Sequence, residues 1–366
     1  MRPLLIVYLD LGIGGVQRKI VDLVNYLSKY KPSLPIYIIL RNRSRFNLGT
    51  EIINNKVKIL NFQDFSNIKL PLFFPFYVLI MFLKFNPSSV LTFLDHASLS
   101  AIFAKKLIFW KKIKLVISED HYTPTIVSGL RFSKVRHYLI RILYPFADII
   151  FTCSMANKKA LIDYYKIKPN KIKIIKNWTT FRKDKQNNKS KKYDLVYVGR
   201  IEKTKNLKTL LYSIPKINKR LRRNIKVLIV GEGKEKGNLI QISRNLDIYK
   251  DTTFLDTRHN IQKYLNESKI LVCTSLTKAE GLPVAILEAM ALEIPVISKN
   301  FAGINEFFED NIDCLFFNSQ NDFTEKCTTL LKNKKLQSKL GKNSRKNIIK
   351  NHSIKNMLPY IKELEL

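Results

Sequence analysis

Cysteine is scarce in this chain, and its spacing excludes several kinds of site. The four cysteines of the 366 residues are Cys153, Cys273, Cys314 and Cys327. None forms the C-x-x-C pair that zinc and redox motifs use. Cys273 and Cys314 lie in apolar runs, where a thiol behaves as a small buried hydrophobe. This usage fits a reduced, cytoplasmic setting.

Acidic residues are also few, with 29 Asp and Glu against 64 Lys and Arg, and the net charge is +35. Such a charge favours either nucleic acid or an anionic membrane surface as a partner. No helix-turn-helix, zinc-finger or RNP motif occurs in the sequence. We therefore expect no nucleic-acid partner.

Long hydrophobic runs are missing. The longest uncharged run, Leu70–Leu83, is interrupted by Pro71 and Pro75 and is shorter than the ~20 residues that a spanning helix needs. At the start, Arg2 precedes only a short apolar run that Asp10 ends, which favours a first strand over a signal peptide. We expect neither a signal peptide nor a transmembrane segment.

Short apolar runs alternate with helical patterns along the whole chain. This alternation predicts parallel sheets covered by helices, and 366 residues suffice for two domains. The predicted strands are 3–9, 36–40, 57–60, 90–93, 115–118, 149–153, 172–175, 194–198, 226–230, 271–274 and 295–298.

The first strand leads into a glycine-rich turn, Gly12-Ile13-Gly14-Gly15, and then into a helical pattern over Val16–Ser28. Strand, glycine turn and helix form the opening of a Rossmann-like unit. The turn is not a G-x-G-x-x-G sequence, so NAD binding is poorly supported.

The stretch from Leu271 to Glu306 carries the most specific chemistry. A short strand is followed by a loop with Glu280, and Pro283 suits the first position of a helix that would continue to about Leu292. A helix N-terminus can hold phosphate. Carboxylates such as Glu280 and Glu288 can accept hydrogen bonds from vicinal hydroxyls. Together these features indicate a nucleotide-sugar site.

The spacing Glu280-x(7)-Glu288, with Gly281-Leu282-Pro283 between the two, closely resembles the donor signature of glycosyltransferase family 4. Three further segments match that family in the same order along the chain. They are Gly14-Gly15, Gly199-Arg200-Ile201-Glu202-Lys203-Thr204-Lys205-Asn206 and Gly231-Glu232-Gly233.

The resemblance implies the GT-B architecture, an α/β fold of two Rossmann-like domains facing across a cleft. Residues 1–178, with a C-terminal helix over 352–366 that crosses back, would form the acceptor-binding domain. Residues 179–192 would form a polar linker, and residues 193–351 would bind the nucleotide sugar.

The resemblance also implies roles for individual residues. Glu288 would bind the ribose hydroxyls and Glu280 the hydroxyls of the transferred sugar, while Arg200 and Lys205 would neutralise the diphosphate. The remaining donor-site candidates are Gly281, Leu282 and Pro283, the glycines Gly231, Gly233 and Gly303, and the base-contact residues Thr257 and Arg258.

On the acceptor side, Gly14 and Gly15 would lie near the donor phosphates and the acceptor. His121 lies just beyond a predicted strand and resembles the family's histidine near the transferred sugar. His96, in Phe93-Leu94-Asp95-His96, is a competing candidate by the same geometric argument.

By the same resemblance the enzyme retains anomeric configuration, and UDP is the expected nucleotide. The chain has no Asp-x-Asp sequence, so no metal cofactor is expected. The acceptor would be a lipid-linked glycan of polysaccharide or lipopolysaccharide assembly. Two alternatives remain open, a UDP-sugar epimerase of the same architecture and an inactive sugar- or polyanion-binding protein.

A basic and apolar region follows the longest uncharged run. Between residues 104 and 141 there are nine basic residues and two acids, Glu119 and Asp120. Within Leu130–Phe146, basic and apolar residues recur at helical spacing on different faces. Such a surface can lie on an anionic leaflet, so we expect peripheral association with the inner face of the cytoplasmic membrane. The basic residues are Lys105, Lys106, Lys111, Lys112, Lys114, Arg131, Lys134, Arg136 and Arg141.

Overall fold

The computed structural model describes residues 1–44, 47–65, 71–181, 191–276 and 281–365. The chain forms two compact units. Unit 1 comprises Met1–Lys176 and Asn356–Leu366, and unit 2 comprises Asn177–Lys355. The sequence predicts that the first domain ends at residue 178 and resumes at residue 352. Most of the predicted linker, residues 182–190, lies outside the described residues.

Unit 1 follows the alternation that the apolar runs predict. Its described strands pair in parallel in the order β3-β2-β1-β4-β5-β6-β7. The elements are β1 (Leu4–Tyr8), α1 (Gly15–Tyr30), β2 (Ile36–Leu40), β3 (Lys58–Asn61), α2 (Phe62–Phe65), α3 (Phe74–Phe85), β4 (Ser89–Phe93), α4 (Leu94–Leu107), β5 (Lys114–Glu119), α5 (Thr123–Ser128), α6 (Ser133–Leu143), β6 (Ile149–Thr152), α7 (Met155–Asp163), β7 (Ile172–Ile174) and α15 (Leu358–Glu363).

Unit 2 repeats the plan, with described strands parallel in the order β10-β9-β8-β11-β12-β13. Its elements are β8 (Tyr193–Val198), α8 (Leu207–Leu221), β9 (Val227–Val230), α9 (Lys236–Asn245), β10 (Thr252–Leu255), α10 (Ile261–Asn266), β11 (Ser268–Cys273), α11 (Val284–Ala291), β12 (Val296–Lys299), α12 (Ala302–Asn305), β13 (Leu315–Phe317), α13 (Gln320–Lys332) and α14 (Lys334–Asn351).

Both faces of the unit 2 sheet are covered, which explains why its strands are apolar without alternation. Successive residues of a strand point to opposite faces. Leu195 and Tyr197 accordingly belong to one core cluster, whereas Val196 belongs to the other. The predicted strands are confirmed, with shifts of at most three residues at their ends.

The last segment of the chain packs onto unit 1. Ser89 Oγ donates to the carbonyl of Leu364 at 2.5 Å, and the buried Tyr360 hydroxyl lies 3.2 Å from Lys19 Nζ. Lys173 pairs with Glu363. The helix expected over 352–366 is a short 3₁₀ turn followed by α15.

The strand orders define where ligands bind in each unit. Open parallel sheets bind ligands outside the carboxyl ends of their strands, at the point where the strand order reverses. That switch point lies between β1 and β4 in unit 1 and between β8 and β11 in unit 2. Residues just after these four strands are therefore the primary candidates for function.

Two local predictions need comment. Pro283 is not the first residue of α11 but the residue before it, with extended angles of φ −61° and ψ 127°. The helix expected within Leu130–Phe146 is α6, which buries Ile140 and exposes Val135 and Ile142. None of the helices in the described ranges has both the length and the apolar character that crossing a bilayer requires.

Candidate functional site

Arg200 and Lys205 lie on the first side of the unit 2 switch point. Strand β8 ends at Val198, and Arg200 follows with an exposed side chain that pairs with Glu202 at 3.2 Å. Lys205 ends the 3₁₀ turn that leads into α8. Both basic residues therefore lie between a strand end and a helix start, where partial positive charge from the helix adds to theirs.

Gly231 and Gly233 allow a neighbouring turn to approach this segment. Their φ angles are 150° and 156°, which favour glycine. A Cβ atom at Gly231 would lie 1.9 Å from the carbonyl oxygen of Gly199, and one at Gly233 would lie 2.2 Å from that of Ile201. These glycines thus allow their own turn to pack directly against the backbone on either side of Arg200.

The loop after β11 is joined to the turn that carries Lys205. Thr274 Oγ1 donates to the carbonyl of Lys205 at 2.7 Å. The N–H of Leu276 donates to the carbonyl of Thr204 at 2.9 Å. The two sides of the switch point, which are far apart in the sequence, are therefore held together by direct hydrogen bonds.

Helix α11 begins at the end of that loop. The N–H of Ile286 donates to the carbonyl of Pro283 at 3.1 Å. The N–H groups of Val284 and Ala285 lie in the first turn, where an α-helix has no intrahelical acceptor for them. Glu288 lies in the second turn with 8% of its surface exposed. The hypothesis about Glu280 falls outside the described residues.

The other predicted donor residues lie further along the same sheet edge. Thr257 and Arg258 follow β10, the edge strand two positions from β8. Their neighbour Asp256 pairs with Lys236. Gly303 lies in α12, which follows β12 next to β11. Gly303 is thus one strand away from the switch point, and Thr257 and Arg258 are two strands away.

In unit 1, the loop after β1 contains the predicted glycine pair. Asp10 accepts hydrogen bonds from the N–H of Gly12 at 2.8 Å and from Gln17 Nε2 at 3.3 Å. Gly14 is the extended residue before α1, and Gly15 is the first helical residue. The glycines thus connect the switch point of unit 1 to the N-terminus of α1.

A half-buried pair, Arg41 and His96, joins the ends of β2 and β4. Arg41 Nη1 contacts His96 Nε2. Because a guanidinium can only donate, Nε2 is the acceptor and the His96 proton resides on Nδ1. Burial, with the charges of Arg41 and Arg136, lowers the pKa of His96 to about 4. His96 is therefore neutral at physiological pH.

Four residues of this edge were missed by the sequence analysis. Asp10 and Arg41 follow β1 and β2, Asp95 opens α4 after β4, and Arg136 of α6 pairs with Asp95. Each of the first three stands within two residues of a predicted strand end. The signal was therefore present, but a charged residue after a strand is common in so basic a chain.

His121 lies two residues beyond β5, among buried ionisable groups. Burial raises the pKa of Glu119 to about 8, although Tyr144 and Thr123 donate hydrogen bonds to it. Asp120 pairs with the buried Lys19 at 2.6 Å. His121 and His96 follow neighbouring strands, and the geometry brings His96, not His121, to the switch point.

These arrangements can bind anions and hydroxyls. Unit 2 offers two basic side chains, a helix N-terminus and a carboxylate at one sheet edge, which suits a sugar linked to a diphosphate. Across the described parts of the chain, no group of three or more His, Cys, Asp or Glu side chains lies close enough together to hold a metal ion.

The whole chain is similar in fold to several solved structures. HepE from Anabaena, solved in complex with UDP, matches with a TM-score of 0.78 and 16% identity over 99% of this chain and 98% of its own. A glycosyltransferase from Rickettsia africae matches with a TM-score of 0.74 and 17% identity over 100% and 99%. The fold is that of the GT-B glycosyltransferases, which confirms the predicted fold class.

Family comparisons divide the chain as the two units do. Residues 13–180 match Glycosyltransferase Family 4, and residues 179–347 match Glycosyl transferases group 1. The chain therefore belongs to the group 1 glycosyltransferases of family 4, and the predicted resemblance is confirmed.

A curated relative from Campylobacter jejuni is 26% identical over 92% of this chain and 90% of its own length. Its name describes an alpha-1,4-N-acetyl-D-galactosaminyltransferase acting on GalNAc-alpha-(1->4)-GalNAc-alpha-(1->3)-diNAcBac-PP-undecaprenol. Relatives of this chain thus include enzymes of lipid-linked oligosaccharide synthesis.

Proposed function

We propose that the protein is a retaining glycosyltransferase of surface polysaccharide or lipopolysaccharide synthesis. It transfers a hexose or N-acetylhexosamine from a UDP-sugar to a lipid-linked oligosaccharide. The observation that carries the donor half of this proposal is the unit 2 switch point. There, hydrogen bonds join the turn of Lys205 to the loop that leads into α11.

The donor chemistry follows from the charges at that edge. As the glycosidic bond breaks, negative charge develops on the departing nucleoside diphosphate. Arg200, Lys205 and the N-terminus of α11 stabilise that charge in the transition state. In this proposal they supply the electrostatic stabilisation that a divalent metal provides elsewhere, and no metal cofactor takes part. UDP is supported by its presence in the HepE complex.

Glu288 and Glu280 recognise the hydroxyls of the donor. A carboxylate accepts hydrogen bonds from vicinal hydroxyls, and Glu288 is held in the second turn of α11 with little exposure. We assign the ribose to Glu288 and the transferred sugar to Glu280. Thr257 and Arg258 remain the base-contact candidates.

The acceptor binds at the carboxyl edge of the unit 1 sheet. Gly14, Gly15 and Asp10 provide the loop after β1, and the relative's undecaprenol-linked substrate supports a lipid-linked glycan. His96 is fixed against Arg41 as a neutral base. We assign His96 to positioning because its ring is held by Arg41. We assign His121 to the reacting centre on the family resemblance, although it follows β5, one strand further from the switch point than β4.

The experiment that tests the reaction offers UDP-, GDP- and ADP-sugars with a membrane extract as the acceptor source. We expect nucleoside diphosphate release that depends on acceptor and occurs with a UDP-sugar. Glu288→Ala should lower kcat/KM about 10–100-fold because a charge-assisted hydrogen bond is lost. Glu325→Ala, which removes an exposed carboxylate elsewhere in unit 2, is the control.

Each alternative gives a distinct result in that experiment. Conversion of a UDP-sugar without acceptor would identify an epimerase. Nucleotide binding without turnover across a panel of acceptors would favour an inactive binding protein. The anomeric configuration of the product, determined by NMR, tests the stereochemistry, and an inverted product would refute the retaining assignment.

We also propose that unit 1 docks on an anionic membrane through its α4–α6 surface. This surface comprises the loop after α4 and the outer face of α6. Phe109 and Trp110 at its tip are 83% and 63% exposed. Lys106 lies over the Phe146 ring at 3.6 Å, which joins the end of α4 to the segment after α6. The exposed apolar side chains are Leu107, Phe109, Trp110, Phe132, Val135, Tyr138, Ile142 and Phe146.

The charge of this surface is complementary to an anionic leaflet. Of the residues between 104 and 141, nine are basic, and the two acids, Glu119 and Asp120, are both buried. Three of the nine pair with carboxylates outside this range, Lys105 with Asp148, Lys114 with Glu365 and Arg136 with Asp95. The exposed charges that the segment itself contributes are nevertheless positive. Exposed aromatic residues among basic ones are typical of segments that lie in the headgroup region.

Lys134→Glu with Arg141→Glu should weaken binding to vesicles that contain anionic lipid. Each basic residue near the surface contributes about 1 kcal/mol, so removal of two attractions should reduce partitioning about 30-fold or more. Flotation at low and high salt measures this change. Lys342→Glu with Lys346→Glu makes the same charge change on exposed positions of α14. Equal losses in both pairs would contradict a localised surface.

A further inference from the structure

Two backbone crossings connect unit 1 with unit 2, and both lie near Asn177. The chain leaves unit 1 after Lys176 and returns to it at Asn356. Asn177, the first residue of unit 2, is only 3% exposed. Its side-chain Nδ2 donates to the carbonyl oxygen of Leu282 at 2.9 Å. A residue at the crossing thus contacts the loop before α11, although 105 residues separate the two.

Asn177 is itself held by His352, which lies shortly before the second crossing. His352 Nδ1 lies 2.7 Å from the carbonyl oxygen of Asn177. Because a carbonyl only accepts, Nδ1 carries the hydrogen. The N–H of Thr179 returns a bond to the carbonyl of His352 at 3.1 Å. His352 is fully buried, and this exchange leaves Asn177 little freedom to move.

Aromatic packing fixes the histidine in turn. The His352 ring lies 5.4 Å from the Phe307 ring and 5.6 Å from the Phe308 ring, centroid to centroid. A side chain packed in this way keeps one orientation. The hydrogen bond to Asn177 therefore has a rigid support.

The geometry points to Asn177 as a positioning residue that sets the N-terminus of α11 for the donor diphosphate. The inference rests on the proposed function. Asn177 contacts the protein loop and acts on the donor through it.

Asn177 acts on the N-terminus of α11 through the peptide bond between Leu282 and Pro283. The carbonyl of Leu282 precedes Pro283, whose ring fixes its own φ, here −61°. Holding that carbonyl restricts the rotation of the peptide between them. Few backbone dihedral angles then remain free to change the direction in which the chain enters α11. The N–H groups of Val284 and Ala285 are thereby aimed, and a misplacement of about 1 Å at such a site can cost about 100-fold in rate.

The orientation of the Asn177 amide follows from the chemistry of its partner. The Leu282 carbonyl can only accept, so the NH₂ group of Asn177 must face it. Replacement by aspartate keeps the size of the side chain and leaves the backbone carbonyl available to His352. It places a carboxylate oxygen opposite a carbonyl oxygen, which removes this single hydrogen bond and adds repulsion.

The test is UDP affinity by isothermal titration calorimetry with the full chain. Asn177→Asp should raise the UDP Kd about tenfold at pH 7.5, which corresponds to the loss of one buried hydrogen bond. The KM for acceptor should not change. Asn356→Asp is the matched control, because Asn356 Nδ2 donates at 3.2 Å to the carbonyl of Lys176 in unit 1, at the crossing but away from the loop.

A pH series separates positioning from a general loss of structure. A carboxyl group buried against a carbonyl oxygen has a raised pKa, and its protonated form can donate. The UDP affinity of Asn177→Asp should therefore recover towards that of the wild type as pH falls from 7.5 to 5.5. Asn177→Ala, which has no donor at any pH, should show no such recovery relative to the wild type.

Several outcomes would overturn the inference. One is an unchanged UDP Kd in Asn177→Asp, and another is an equal loss in the Asn356→Asp control. If Asn177→Asp does not fold, Asn177→Ser removes the same bond, and wild-type affinity in that variant would be equally decisive. A wild-type protein that binds no nucleotide would refute the proposed function first, which distinguishes the two failures.

Discussion

Replacement of Lys205 by alanine should lower kcat about 100- to 1000-fold. The side chain stands at the switch point of unit 2, between a strand end and a helix start, where the departing diphosphate would develop its charge. Removal of one preorganised group at such a position costs rates of this size in other enzymes. Affinity for the UDP-sugar should fall much less, because the diphosphate carries less negative charge in the intact donor than in the transition state.

Lys203→Ala is the matched control for this prediction. Lys203 belongs to the same 3₁₀ turn as Lys205, carries the same charge and is exposed. It lies two residues before the carbonyl that Thr274 binds. A long-range contribution of positive charge would make both variants slow. A site-specific contribution would leave Lys203→Ala at wild-type activity.

Arg200→Lys adds a test of geometry. Arginine binds phosphate oxygens through a planar fork, whereas lysine offers a point charge. We expect Arg200→Lys to retain part of the activity that Arg200→Ala loses. Steady-state kinetics with the active donor measures all four variants, and wild-type kcat in Lys205→Ala would remove Lys205 from the catalytic machinery.

The fold could be predicted because its signals are local. Apolar runs of four to six residues recur between helical patterns, and parallel strands buried on both faces need no other pattern. Pro283 shows the limit of such local evidence. Proline is compatible both with the first helical residue and with the residue before it, and the extended ψ of 127° at Pro283 decides between them.

The sequence could predict those parts of the candidate site whose residues all lie within one short segment. The segment from Gly199 to Asn206 could be recognised as a unit. By contrast, the contacts of Asn177 with Leu282 and of Arg41 with His96 join residues 105 and 55 positions apart. No spacing rule within a segment reaches that far. Such pairs depend on the strand order, which brings distant loops to the same edge.

The ion pair between Lys19 and Asp120 is another contact of this kind, and it supports the largest stability prediction. Lys19 is 1% exposed, and its Nζ lies 2.6 Å from Asp120 Oδ1. Burial lowers the pKa of Lys19, but the attraction of Asp120 outweighs it, so the pKa is raised. Lys19→Met should destabilise unit 1 by about 3–5 kcal/mol, because it leaves the Asp120 carboxylate buried without its cation.

The C-terminal segment should report the same loss. Lys19 Nζ also lies 3.2 Å from the Tyr360 hydroxyl of α15, and that hydroxyl is 2.7 Å from Ser118 Oγ. Weakening this network should loosen α15 before the rest of unit 1 unfolds. We expect faster amide hydrogen exchange in Leu358–Glu363 for Lys19→Met. Lys29→Met, at an exposed position of the same helix α1, should leave exchange unchanged.

The double variant Lys19→Met with Asp120→Leu separates the attraction between the two charges from the free-energy cost of burying them. Replacement of both charges by apolar groups removes the two desolvation penalties together with the attraction, and such exchanges are often neutral. We therefore expect the double variant to recover most of the stability lost in Lys19→Met, measured by thermal unfolding. If the two single losses simply add, the coupling between Lys19 and Asp120 is zero, which would contradict a stabilising ion pair.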